Sequence, residues 1–91
     1  MKYINYMGVI NKDRLIQKME KLFNKALKLY NEEKWKKASN LFKECGFIAN
    51  KIGDKEIEEK CVKYMEHCMI KLQEIIDKEE KELEDRFSQL Y

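Results

Sequence analysis

The chain has no proline and only three glycines in 91 residues. Sheets and loop-rich folds are punctuated by these residues at their turns, so their scarcity argues against both. Cysteine is few and odd in number: Cys45, Cys61 and Cys68. Three cysteines do not make a paired disulfide framework. Their core-like helical spacing suits reduced, buried thiols of a cytoplasmic protein. Histidine occurs once, at His67, and the only arginines are Arg14 and Arg86. No hydrophobic run approaches the roughly 20 residues that span a bilayer. The apolar opening, residues 1–10, is short and lacks a small-residue cleavage pattern, so it is not read as a signal peptide. No membrane association is expected.

What the chain does have is charge and helical periodicity. Charged residues make up 40% of it, yet hydrophobic residues reach 44%, enough to exclude a disordered polar chain. Ninety-one residues make one domain, 1–91, with a modest core. The net charge is +2, but it is unevenly spread. Residues 1–53 hold twelve Lys or Arg against five Asp or Glu; residues 54–91 hold seven against twelve. One account packs the last helix beside the basic ones. The other has a basic end attract an acidic partner, or two chains pair basic to acidic.

The organising stretch runs from Trp35 to Cys68. Trp35, Ala38, Phe42, Cys45, Ala49 and Ile52 recur at threes and fours, the spacing of one helix face. Gly53-Asp54 breaks the pattern: Gly suits the left-handed position after a helix, and Asp can cap the next one. Ile57, Cys61, Tyr64, Met65 and Cys68 then resume the period. Upstream, Leu15, Ile16, Met19, Leu22, Phe23, Ala26, Leu27 and Tyr30 form another apolar stripe. The spacing predicts an all-α, antiparallel three-helix bundle or helical-repeat unit, with helices near 12–31, 34–52 and 54–89. Asn11 is the expected cap of the first helix and Asn31 a cap residue at its end. Residues 1–10 read as an N-terminal arm covering an open end, built as a short strand, an extra turn of helix or extended chain.

Trp35, Ala38, Phe42, Cys45, Ile48, Ala49, Ile52, Gly53 and Asp54 resemble the second helix and exit turn of a tetratricopeptide repeat. Leu22, Ala26 and Leu29 fit the large, small and large positions of that family's first helix. Val62, Met65 and Met69 fit the start of a next repeat, while Glu66 stands where the family prefers a small residue. The segment Lys60-Cys61-Val62-Lys63-Tyr64-Met65 more weakly resembles the third helix of microtubule-interacting and transport domains. Both resemblances imply a helical scaffold that binds peptides or helices.

No catalytic constellation is evident. His67 lies off the main apolar face and is expected to face solvent. Cys61, His67 and Cys68 lack the closely spaced ligand pairs and fourth ligand of a zinc site. Nothing places His67 as the base of a thiol enzyme, and no phosphate-binding glycine pattern occurs. No enzymatic activity, metal or cofactor is expected. Trp35 flanked by Lys36 and Lys37 could touch phosphates, but with only two arginines and an acidic C-terminal helix a basic-face nucleic-acid-binding protein is the weaker alternative.

The function expected is a noncatalytic protein-protein interaction or adaptor module for a peptide or amphipathic helix, with a structural oligomerisation domain as the alternative. The partner-binding candidates are Lys18, Lys25 and Lys28, meeting acidic side chains, and Tyr64, Met65, Met69 and Leu72, meeting an apolar helix face. They are expected to form a groove between helices one and three. Met65, Met69, Leu72, Ile76, Glu79, Leu83, Arg86 and Leu90 alternate by fours and threes as a heptad does. Leu72, Ile76, Leu83, Phe87 and Leu90 are the candidates for self-association as a homodimer. Trp35 is expected to be substantially buried where helix two meets helix one.

Overall fold

A computed structural model describes residues 2–90 of the chain, and the side chains of residues 12–90. It is all-α: α1 spans Lys2–Asn31, α2 spans Trp35–Ile52 and α3 spans Lys55–Leu90, with no strand among the described residues. The first helix begins at Lys2 rather than near residue 12. Asn11 lies inside it rather than at a cap. No proline or turn sequence stops propagation there, and each residue added to an existing helix gains a backbone bond. What the side chains of residues 1–11 cover lies outside the described residues.

Both connections are built the same way. After α1, Lys34 N–H bonds Leu29 C=O at 2.9 Å and Glu33 N–H bonds Tyr30 C=O at 3.0 Å. After α2, Asp54 N–H bonds Ala49 C=O at 2.9 Å and Gly53 N–H bonds Asn50 C=O at 3.2 Å. Each is a Schellman closure around one left-handed residue. Gly53 takes that role at φ 79°, but in the first turn it falls to Glu33 at φ 60°, not to Asn31. Asp54 caps α3 by accepting the Ile57 N–H at 3.1 Å.

The middle helix is the keel. Most of the buried core belongs to α2: Ala38, Phe42, Cys45, Ile48 and Ala49, with Met19 and Ala26 from α1 and Cys61 and Cys68 from α3. The backbones of α1 and α3 each pack along α2 and approach one another little. A Cβ added at Gly46 would stand 3.2 Å from Cys61 Cβ, so the missing side chain sets how closely α2 and α3 approach.

The helices differ in length, at 30, 18 and 36 residues. Trp35, at the start of α2, meets His67 on α3. Everything beyond Leu72 in α3 is exposed. Residues 73–90 therefore project past the body by about 27 Å at 1.5 Å per residue. At the other end Leu15 stands beside Ile48 and Lys51, so the start of α1 projects past α2 in the opposite direction. The two overhangs account for an envelope of 75 × 22 × 18 Å.

Candidate functional site

Three surfaces are built around α2 and α3. The first is an aromatic cluster where α1 faces α3. Phe42 and Tyr64 are stacked, and Phe23 and Tyr30 meet them edge-on. Tyr30 meets Trp35 edge-on at 5.2 Å, and His67 lies 5.5 Å from the Tyr30 ring and 6.0 Å from the indole. The Tyr30 hydroxyl and His67 Nδ1 are hydrogen-bonded. His67 therefore belongs to the packing between helices, half-buried, rather than to solvent. Trp35 is also only half-buried, its indole closing the rim of the cluster.

The second surface is a groove of about 510 Å³ between α1 and α2, lined by Leu15, Lys18, Lys43, Phe47, Ile48 and Lys51 among others. Lys18 Nζ stands 3.8 Å from Glu44 there, an exposed pair that contributes little to stability.

The third lies on the outer side of α2 and α3. Gly46, Phe47, Asn50, Val62 and Met65 border a groove of about 320 Å³. From there an apolar seam continues along α3. Val62, Met65, Met69, Leu72, Ile76, Leu83 and Leu90 fall on strictly alternating threes and fours, with Glu79 and Arg86 filling the two remaining steps. Phe87 lies beside it. Val62, Met69, Ile76, Leu83, Phe87 and Leu90 are all exposed large hydrophobic residues. So is Phe47, at 65% of its surface.

The seven partner-binding candidates do not share one groove. Tyr64 points into the aromatic cluster, whereas Met65 borders the outer groove. Successive helical residues differ by about 100°, so one step along α3 moves from one surface to the other. Lys18 lines the α1–α2 groove, and Lys25 and Lys28 are exposed. Their helical spacing puts all three lysines on the side of α1 away from Phe23 and Tyr30, which face α3. Met65, Met69 and Leu72 do lie together, and they run continuously into Ile76, Leu83, Phe87 and Leu90. Phe47 was not among the sequence candidates. It is out of phase with the buried face of α2, and that displacement was its signal.

Burial raises the thiols. Desolvation pushes Cys61 up to about 12, with Cys45 beside it adding to the rise. Desolvation also raises Cys45 and Cys68. A thiol held neutral is a poor nucleophile. No group of three or more possible metal ligands comes together among the described residues. No described helix is long and apolar enough to cross a membrane.

No family model, curated protein or solved structure matches this chain.

Proposed function

We propose that this chain is a noncatalytic protein-interaction module that receives a helical segment of its partner along α3. One observation carries the reading: an uncovered apolar seam that begins in the groove beside Phe47 and runs to Leu90. Contiguous exposed apolar surface rimmed by charge is characteristic of protein-binding faces. A 3–4 spacing sustained over four heptads is the complement of another helix. Met65 and Met69 give part of the seam an adaptable surface. The tetratricopeptide likeness belongs to this proposal. It is supported by the antiparallel α1–α2 pair, the small residues Ala26, Ala38 and Ala49 in the core, and a third helix packed on α2.

The test is unbiased capture of partners from the source cell, followed by isotope-edited spectra of the labelled chain with each captured protein. Shifts following Val62, Met65, Met69 and Leu83 support the reading. A verified partner whose shifts lie wholly on α1 overturns it.

A further inference from the structure

We infer that the helix seated on the α3 seam belongs to a second copy of this chain, running antiparallel. This rests on the interaction-module reading and names the partner.

The seam has two unlike halves. Val62, Met65 and Met69 lie beside the outer face of α2, while Ile76, Leu83 and Leu90 lie on the overhang. The overhang, Gln73–Leu90, carries seven acidic residues against three basic ones. The neighbouring helix α2 carries four lysines against one glutamate. Lys36, Lys43 and Phe47 recur at seven and four, so they share the outer face that borders the groove. One half of the seam is acidic, and the other is flanked by a basic helix.

A chain cannot join its own two halves. α3 is one continuous helix from Lys55 to Leu90, and its overhang points away from α2. The complementary half must come from another molecule. Orientation follows from charge. A parallel, in-register pair would lay acidic overhang on acidic overhang, with Glu79 facing Glu79 and Arg86 facing Arg86 in the same layers. Like charges so placed oppose pairing. An antiparallel pair lays each acidic overhang along the basic α2 of the other chain. The stretch from Val62 to Leu90 is centred on Ile76, so a twofold axis passes beside Ile76. Met69 of one chain then faces Leu83 of the other, and Glu82 of each overhang comes level with Lys36 at the start of the other chain's α2, the end of that helix that lies beside His67. Such a contact is isologous and closes on itself.

Sedimentation of the intact chain at micromolar concentrations is expected to show a dimer, and Leu83→Glu to weaken it at least tenfold. Orientation is read by mild oxidation. A mixture of Met69→Cys and Leu83→Cys chains is expected to form the mixed disulfide, and Leu83→Cys chains alone to form little. Charge is read by two single variants, Lys36→Glu and Glu82→Lys. Each is expected to dissociate more readily than the natural chain by itself, and the two mixed to restore a heterodimer, with circular dichroism confirming that both remain helical. Efficient cross-linking of Leu83→Cys to itself reveals a parallel pair; it overturns the inference and leaves the interaction reading standing. A monomer whose seam takes up a captured protein does the same. A monomer whose seam resonances respond to no captured protein overturns both.

Discussion

Phe42 and Tyr64 lie face to face, with ring centroids 4.8 Å apart and planes within 6° of parallel. The first ring is fully buried and the second partly so. The pair joins the middle helix to the last one at the point where Phe23 and Tyr30 of α1 also arrive. All three helices therefore depend on it.

Phe42→Ala is expected to lower stability by about 3 to 5 kcal/mol, because it removes a fully buried ring. Tyr64→Leu costs less, since shape is partly kept. A double-mutant cycle between Phe42→Leu and Tyr64→Leu should show a coupling of about 0.5 to 1.5 kcal/mol, the range for aromatic pairs. Trp35→Ala should cost about 2 kcal/mol, below the range for a fully buried ring, because the indole is packed against the core but keeps part of its surface open. Denaturant midpoints of the four single variants and of the Phe42→Leu/Tyr64→Leu double check these values.

Glu33→Gly is expected to stabilise the protein by about 1 kcal/mol. Glu33 holds the left-handed position that closes α1, at φ 60°, where a side chain costs about 1 to 2 kcal/mol. Its loosening of the unfolded chain offsets part of the gain. A fall in the urea midpoint on this substitution would show that the Glu33 side chain contributes something its backbone does not reveal.

Gly46 tests the distance between α2 and α3. Gly46→Ala gains helix propensity of about 1 kcal/mol. The new Cβ meets Cys61 Cβ at 3.2 Å, so the helices must ease apart slightly. The two effects are expected to cancel to within about 1 kcal/mol. Gly46→Val adds two more carbons to the same gap and should destabilise by about 1 to 3 kcal/mol. Thermal unfolding of both variants separates the terms.

The buried thiols make the fold sensitive to base. Burial pushes the Cys61 thiol up to about 12 in the folded chain, whereas an unfolded cysteine ionises near about 8.5. The unfolded state therefore loses its proton first, and stability falls as the pH rises from about 9 towards 12. The contribution is fully present below that window. Denaturant midpoints between pH 8 and pH 11 should fall more steeply for the natural chain than for Cys61→Ala. Thiol-reactive dyes should label all three cysteines at the rate of unfolding.

Local signals in the sequence were legible where the physics is local. Gly53-Asp54 announces a left-handed residue and a cap, and both are found. The turn at Glu33 was not legible, because glutamate has no preference for the conformation that it takes there. His67 misled for a geometric reason. A helix touching one neighbour buries a single stripe, but α3 meets α2 through Cys61 and α1 through Tyr64 and His67, so its covered arc is wider. The heptad on α3 was visible from Met65 onward. That Val62 and Phe47 join it, and that Tyr64 leaves it, depends on which side of α3 the middle helix occupies. One chain's periodicity does not specify that.

The overhang of α3 has a consequence for how the chain melts. A helix in isolation must first form a nucleus, which is improbable in a short segment. Here the packed half of α3 serves as that nucleus, and residues 73–90 only propagate it. Local pairs assist: Gln73 donates to Asp77 at 2.9 Å. Glu74, Asp77 and Glu82 each precede a base by four residues, at Lys78, Lys81 and Arg86, the favoured order for such pairs. In a chain whose seam is empty, amide hydrogen exchange should consequently grade from slow at Cys68 to fast near Leu90, without a step. A helix laid across the seam would flatten that gradient, so the slope of exchange along one helix is itself a gauge of occupancy.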